Sequence, residues 1–472
     1  GTSSRATKLV HGGVRYLAQG NVALVREALR ERGRLLRNAP HLVQPLAFVL
    51  PLFGARGRWF DGWFYGAGLT LYDLLAGAGR LGRTEFLGRA AALRRVPGLR
   101  ADDLAGGLQY WDGQFDDARL AVALARTAIA RGAIVLNHCA AVGLAHSKGK
   151  VSGVVVEDRA SGRQHALGAR CVVNAAGVWV DAVRRMDRAE CGESLAPSQG
   201  VHIVVDREFL PSTSAVLVPK TRDGRVLFAV PWLGKTLLGT TDTPRNDLAA
   251  EPAPFQEEIQ FILGEAARIL ARAPTRADVR SVWVGLRPLV RPPDEDPGDT
   301  KALSREHAVL VERSGLLTVT GGKWTTYRAM AEDVLQHAMA GGLLPSRPAG
   351  ATVALPLVGA PRTSAHALSD APGLHLYGTE ADLVRSLPGA ERELAPGLSE
   401  AMVRFAARHE YVRSVEDVLA RRSRLLFLDA RRAAAVAERV AAVLAEELGE
   451  AFDAARSLRG FTQLAARYAS VE

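Results

Sequence analysis

The chain opens on GTSSRATKLVHGGVRYL, residues 1–17, which sets a lysine, a histidine, a glycine pair, an arginine and a tyrosine between Lys8 and Tyr16. Small hydroxyl residues and glycines let backbone come close to a flat or phosphorylated ligand. Lys8 and His11 add charge and hydrogen bonds, and Arg15 can grip a phosphate through two parallel bonds. On spacing alone, an ordinary glycine turn before a helix explains the stretch equally well. VVNAAGVW, residues 172–179, reads as a buried strand ending in small residues. A cofactor could lie against such backbone, although a tight strand–helix turn is the simpler reading. His202, in QGVHIVV, falls on a predicted strand. A lone strand histidine is more often a core residue, yet imidazole is the side chain best suited to take a proton near neutral pH. Arg287 in GLRPLV and Arg305 in LSREH need an anionic partner if buried, either a structural carboxylate or a ligand phosphate. GGKWTTYR, residues 321–328, opens a helix behind a glycine pair and Lys323, a place that favours negative charge. The GxxxxGK[ST] spacing of a Walker loop is absent there. Taken together, glycine turns at strand ends, cations aimed at an anion and one candidate base fit a dinucleotide cofactor and a small phosphorylated substrate.

The elements that must position these residues follow from periodicity. Residues 14–38 read as a helix with Leu17, Leu24, Leu29 and Leu35 inward and a basic outer face. Residues 45–53 form a strand-like run, and 58–78 an aromatic-rich helical segment dotted with glycine. Residues 116–131 predict an amphipathic helix with Asp116 as N-cap and Gly132 as stop. Strands follow at 133–146, 149–158 and 169–177. From 200 to 245 the pattern alternates, as in antiparallel strands of a sheet with one covered face. A helix at 254–273, a hairpin-like pair before Gly321 and a helix from Thr325 come next. After a Pro/Gly/Ala linker, SVEDVLARRSRLLFLDARRAAAVAERVAAVLAEELG is nearly all helix formers. An α/β portion that surrounds a strand-rich insertion and then returns is how a nucleotide-binding scaffold with an inserted cap reads.

Hydrophobic residues at 48% and charged residues at 23% mark a globular chain rather than a disordered one. The net charge of +10 is carried mostly by arginine interleaved with acids, so a solvated surface is its first reading. Contact with anionic lipid or collection of an anionic substrate comes second. Nucleic-acid binding comes last, because no zinc-ligand spacing or alternation of aromatic and basic residues is present. Cys139, Cys171 and Cys191 form no CxxC pair, which argues for a reducing compartment and against a disulfide framework. There is no run of 18 apolar residues and no signal-peptide pattern.

The motifs GTSSRATKLVHGGVRYL, GVHIVV, GTTD, GLRPL, SREH and GGKWTTYR, in this order and with the helical tail, resemble the respiratory FAD-dependent glycerol-3-phosphate dehydrogenases over nearly the whole chain. The resemblance implies an α/β fold. It would be a Rossmann-like FAD-binding domain of the glutathione-reductase type, D-amino-acid-oxidase-like, with an antiparallel β-sheet substrate cap and a C-terminal α-helical domain. Residues 1–345 would form the discontinuous FAD domain with interleaved cap (roughly 40–110 and 197–300), 346–362 a linker, and 363–472 the helical domain. In this family the opening loop follows a βαβ unit carrying the GxGxxG fingerprint. Its first βαβ element is therefore expected to be lacking here, as in a fragment.

The resemblance further implies oxidation of sn-glycerol 3-phosphate to dihydroxyacetone phosphate, hydride transfer to FAD and delivery of electrons to a membrane quinone. His202 is the implied base, assisted by Arg287, with Arg15, Tyr16, Arg305 and Lys323 on the substrate. Flavin contacts carry over to Thr2, Ser3, Ser4, Lys8, Leu9, His11 and Gly12. They extend to Ala140 and Ala141 at the adenine, to Ala175, Ala176, Gly177 and Trp179 along the dinucleotide, and to Gly322, Lys323 and Trp324 at the ring. Gln199 stands where many relatives have lysine. The implied setting is peripheral, on the inner face of the cytoplasmic membrane against anionic lipid, with a homodimer allowed. For the segment 56–75, lying against lipid and packing inside the cap are equal readings. The competing activities are a glycerol-3-phosphate oxidase using O2, another flavin oxidoreductase acting on an amino or hydroxy acid, and a non-catalytic remnant unable to hold FAD.

Overall fold

The computed structural model describes residues 1–17, 20–54, 60–291 and 306–470. Its centre is a ten-stranded sheet. From one edge, the strands run Leu9–Val10, Leu104–Phe115, Val43–Phe53, Ala215–Val218, Leu227–Trp232, Lys235–Gly239 and Ser198–Asp206. Thr243–Pro244 and Ser281–Arg287 also pair with Ser198–Asp206, and Glu85–Gly88 with Leu104–Phe115. All these pairings are antiparallel except that of Ala215–Val218 with Val43–Phe53, which is parallel.

Strand Ser198–Asp206 shows why the sheet is buried on both faces, not on one as its alternation suggested. Side chains alternate across a strand, and here both sets are apolar or enclosed. Val201, Ile203 and Val205 pack with Ile259, Ile262 and Ala266 of helix Gln256–Ile269. Val204 packs on the opposite side, in a core that includes Trp232, Trp283 and the C-terminal helices. His202 shares that second face, under the helical domain.

The helix expected over 14–38 divides. A 3-10 turn spans Val14–Tyr16 and the α-helix runs from Val22 to Asn38. Gly20 adopts a left-handed φ of 76°, and Asn21 Oδ1 caps the helix by accepting from the Leu24 amide at 3.0 Å. Helix Asp117–Ala130 does start at Asp116, whose carboxylate accepts from the Arg119 amide. The strand expected from 133 begins only at Cys139, in a three-stranded sheet with Lys150–Asp158 and Gln164–Gly168. Residues 133–138 have no strand partner among the described residues, and Ile134 is 89% exposed. The strand expected over 169–177 shortens to Val173–Asn174, which runs parallel to Leu317–Gly321. The helix-forming tail is divided into several helices. A π-helical turn spans Asp417–Arg422, Arg424 is left-handed at φ 62°, and Asp429 caps the long helix Ala430–Leu448.

Two enclosed histidines make stability depend on pH. Burial, with Arg119 nearby, pushes His41 from 6.5 down to about 3. Burial, with Lys8 and Arg287, holds His202 well below 6.5. Both are neutral when folded and take a proton near pH 6.5 when unfolded. Their contribution is therefore complete above 6.5 and is lost as pH falls, at about 1.4 kcal/mol per pH unit for each group. The urea midpoint should drop between pH 7.5 and pH 5, and His41→Gln should flatten that drop.

Candidate active site

Bonds to distant segments hold the opening loop along its length. The Trp324 indole donates to the Ser3 carbonyl at 2.9 Å, and the Thr2 hydroxyl donates to the Leu286 carbonyl. The Ala6 amide donates to Asp117 Oδ2 at 2.9 Å, and Thr325 Oγ1 donates to the His11 carbonyl at 3.3 Å. The Gly12 amide donates to the Tyr72 hydroxyl at 2.8 Å. That hydroxyl donates onward to Asp112, which also takes Arg32. A Cβ at Gly12 would lie 2.5 Å from the Tyr72 oxygen, so only glycine admits this approach.

His202 stands behind the same loop. Its ring stacks on Trp283 at 4.2 Å between centroids, and its Nε2 pairs with Thr7 Oγ1 at 2.9 Å. Its Nδ1 is enclosed and has no hydrogen-bond partner among the described residues. Gly239 faces it across the sheet, where a Cβ would come within 2.6 Å of the imidazole. Arg287 closes in over Gly200, donating to the carbonyls of Gln199 and Thr241 and to Thr240 Oγ1. Its Nη1 lies 3.4 Å from Asp242. Two cations beside a desolvated imidazole favour its neutral form. Gln199 bridges Glu258, to which it donates, and Arg245, from which it accepts.

Lys323 and Tyr16 meet although 307 positions apart: the ammonium lies 3.9 Å from the Tyr16 ring centroid. Gly13, left-handed at φ 83°, makes room for both, since a Cβ there would approach Tyr16 to 2.5 Å and the Lys323 ammonium to 2.8 Å. Arg15 belongs to the turn Val14–Tyr16. Arg305 lies outside the described residues.

A cavity of about 600 Å³ opens beside the loop. Thr2, Ser3, Ser4, Ala175, Ala176, Gly177 and Trp179 line it, together with Ala118 and Ala121 of helix Asp117–Ala130 and Arg421 and Arg422 of the C-terminal helices. The two arginines had no motif to announce them. Other residues expected at the cofactor do not line this cavity. Ala140 and Ala141 pair with Glu157 and Val156 in the three-stranded sheet. Leu9 is buried in the large sheet. Lys8 is fully enclosed, its ammonium 2.6 Å from Asp117 and over the rings of Trp232, Trp283 and Phe427, so only its backbone is left for a cofactor. Gly322, at the turn that carries Trp324, has φ 72° and sits against Met330.

A family model described as FAD dependent oxidoreductase matches residues 1–328, and one described as the C-terminal domain of alpha-glycerophosphate oxidase matches residues 317–456. The chain is 38% identical to the mitochondrial glycerol-3-phosphate dehydrogenase SDP6 of Arabidopsis thaliana, over 95% of its own length and 77% of that protein. The chain belongs to the FAD-dependent glycerol-3-phosphate dehydrogenase family. The mitochondrial glycerol-3-phosphate dehydrogenase of Macaca fascicularis is also 38% identical, with 95% of this chain and 66% of that protein covered. The chain thus spans just under two thirds of that animal relative. Glycerol-3-phosphate dehydrogenase from Bacillus halodurans, solved with FAD, shares the fold at a TM-score of 0.78 and 30% identity, covering 100% of this chain and 88% of that one.

In a glycerol-3-phosphate dehydrogenase fold, the small-residue wall at Ala118, Ala121 and Ala175–Gly177 suits a flat ring system, and the hydroxyls of Thr2, Ser3 and Ser4 suit hydrogen bonding to it. Arg421 and Arg422, which are also paired with Glu416 and Asp417, bring guanidinium donors to the same cavity, which Glu410 lines as well. The residues present therefore fit FAD, and these are the groups that would hold it.

Proposed function

We propose that this chain oxidises sn-glycerol 3-phosphate to dihydroxyacetone phosphate with FAD as acceptor, and that electrons leave to a membrane quinone. Bound FAD would supply the two-electron acceptor for hydride from substrate C2. His202 takes the proton of the C2 hydroxyl at Nδ1. The observation that carries this reading is that Nδ1 is enclosed and without a partner among the described residues, on an imidazole that its surroundings keep neutral. In the tautomer whose Nε2–H donates to Thr7, Nδ1 presents a lone pair. Arg287 stabilises negative charge developing on the hydroxyl oxygen. Lys323 and Tyr16, with Arg15 and Arg305, hold the phosphate. The test is the anaerobic flavin spectrum of the reconstituted chain before and after sn-glycerol 3-phosphate. Bleaching is expected; a flavin band that persists would assign another substrate. Because residues 317–456 match a domain described for an oxidase, O2 is the second reading for the acceptor. Stoichiometric hydrogen peroxide under air would favour it over a quinone.

Peripheral membrane contact has support on the surface. Trp63, 71% exposed on helix Gly62–Ala76, lies 6.4 Å from Phe86 between ring centroids, and Phe64 and Leu74 are also exposed. Exposed Arg80, Arg83 and Arg89 flank the patch. Among the described residues no helix is long and apolar enough to cross a membrane. Amphipathic aromatics ringed by arginine suit an anionic interface. Replacing Trp63 and Phe64 by serine should reduce co-sedimentation with anionic vesicles several-fold, and binding to neutral vesicles should be weak for both proteins.

A further inference from the structure

Arg424 comes from the C-terminal helices yet reaches the loop that carries Thr7. Its side chain is fully enclosed, with 0% exposure. Nη1 donates to the Ala420 carbonyl at 2.7 Å, and Nη2 donates to the Ser4 carbonyl at 2.7 Å and to Asp117 Oδ1 at 3.3 Å. The guanidinium lies 3.9 Å from the Phe427 ring centroid, and its Nε is 3.9 Å from Asp116. Lys8 grips the same two acceptors from the other side. Its ammonium donates to the Ser4 carbonyl at 3.1 Å and to Asp117 Oδ2 at 2.6 Å. Asp117 Oδ2 also accepts the Ala6 amide. Segment 4–8 is therefore pinned at Ser4, Ala6 and Lys8, and Thr7, which pairs with His202, lies between the last two. The lysine ammonium also sits 4.6 Å from the centroid of Trp283, the ring on which His202 stacks.

We propose that Arg424 is a positioning residue for the reaction, fixing the Thr7–His202 pair from the C-terminal domain through Ser4, Asp117 and Lys8. The inference rests on His202 being the base. Its physical ground is the enclosure: bonds made without water hold one geometry, and a misplaced segment 4–8 would release the imidazole from Thr7. The charges facing the cluster are Asp116, Asp117 and Lys8, with Arg119 acting on Asp116 and Arg287 on His202. Burial, with Arg424 adding to it and Asp117 opposing, leaves Lys8 at about 7. Loss of the arginine charge should keep the lysine protonated to higher pH and so alter the field on His202.

The experiment compares Arg424→Met, Arg424→Lys and Thr7→Val in the full FAD-loaded chain, with rates per bound flavin and His202→Gln as reference. Arg424→Met should lower kcat about 10- to 100-fold with KM little changed, and should shift the pH profile of kcat. Thr7→Val should lower kcat in the same way, and Arg424→Lys should restore part of the loss. A folded Arg424→Met chain with unaltered kcat and pH profile overturns the proposal, whatever its stability. If that variant does not fold, Thr7→Val at full kcat overturns it. Labelled-histidine resonances of the full chain probe the same geometry without turnover: the His202 signal, assigned by its loss in His202→Gln, should move in Arg424→Lys, and an unmoved signal counts against positioning. An active His202→Gln would remove the base reading itself. An inactive one beside unaffected Arg424 and Thr7 variants would remove only the positioning.

Discussion

His202→Gln is expected to lower kcat about 100- to 10,000-fold while KM for sn-glycerol 3-phosphate changes about twofold or less. Glutamine keeps an amide able to pair with Thr7 and roughly fills the slot between Trp283 and Gly239, so the loss isolates proton removal. The wild-type pH profile tests the same assignment. Burial, Lys8 and Arg287 hold the imidazole well below 6.5, so the active neutral form persists as pH falls through 6.5. The acid limb of kcat should therefore lie below the ordinary histidine range. The quantity to follow is kcat, because the free substrate phosphate itself titrates near pH 6 and would distort kcat/KM (about 6 for a phosphate monoester). An acid limb at or above 6.5 would assign the proton transfer to a different group.

What the sequence makes legible is local. Asp116 announces its helix because an acid before an amphipathic run can accept a free amide, and it does. Alternation around His202 settles which neighbours share its face, because strand side chains repeat every two residues. The glycines of the opening loop and of residues 321–322 read as close approaches, and a Cβ at Gly12, Gly13 or Gly322 would indeed collide with a neighbouring side chain. Lys8 shows the limit. Its type and place suggest a ligand contact, yet its backbone is left-handed at φ 64° and its side chain enters a cage of Trp232, Trp283, Phe427 and Asp117. Those four come from four separate segments, so no local pattern encodes the cage. The same cage overrides helix propensity in the tail: Arg424 abandons helical geometry in a run of helix formers, and its side chain bonds to Ser4 and Asp117. Residues 133–138 fail in the opposite direction. Their apolar run asks for a strand, but pairing is a property of two segments, and here the second is absent among the described residues.

Asp117→Asn should be the most destabilising single change in the site, by about 3–5 kcal/mol, because it strips two enclosed cations of their shared counter-charge. Lys8, Asp117 and Arg424 are all at 0% exposure, so water cannot replace the lost carboxylate. Asp116 is nearby but farther off, at 3.9 Å from the guanidinium. The two cations respond differently. A guanidinium does not lose its proton in a protein. Lys8, already lowered to about 7 against the pull of Asp117, loses that pull and should shed its proton well below neutrality. Neutralising the lysine limits the damage, and this gives the variant a signature of its own. Above neutral pH the lysine is neutral when folded and charged when unfolded, so the variant regains stability only as pH rises through the unfolded value of 10.5. Between pH 5 and 7, where the wild-type lysine is still charged when folded, the urea midpoint of Asp117→Asn should therefore climb more steeply than that of the wild type. Lys8→Met in the same background should remove the extra slope and recover part of the lost stability, since the methionine can occupy the aromatic cage without a charge. A parallel pair of curves for Asp117→Asn and wild type would mean that Lys8 keeps its proton without Asp117, held by the rings of Trp232, Trp283 and Phe427 and by the Ser4 carbonyl.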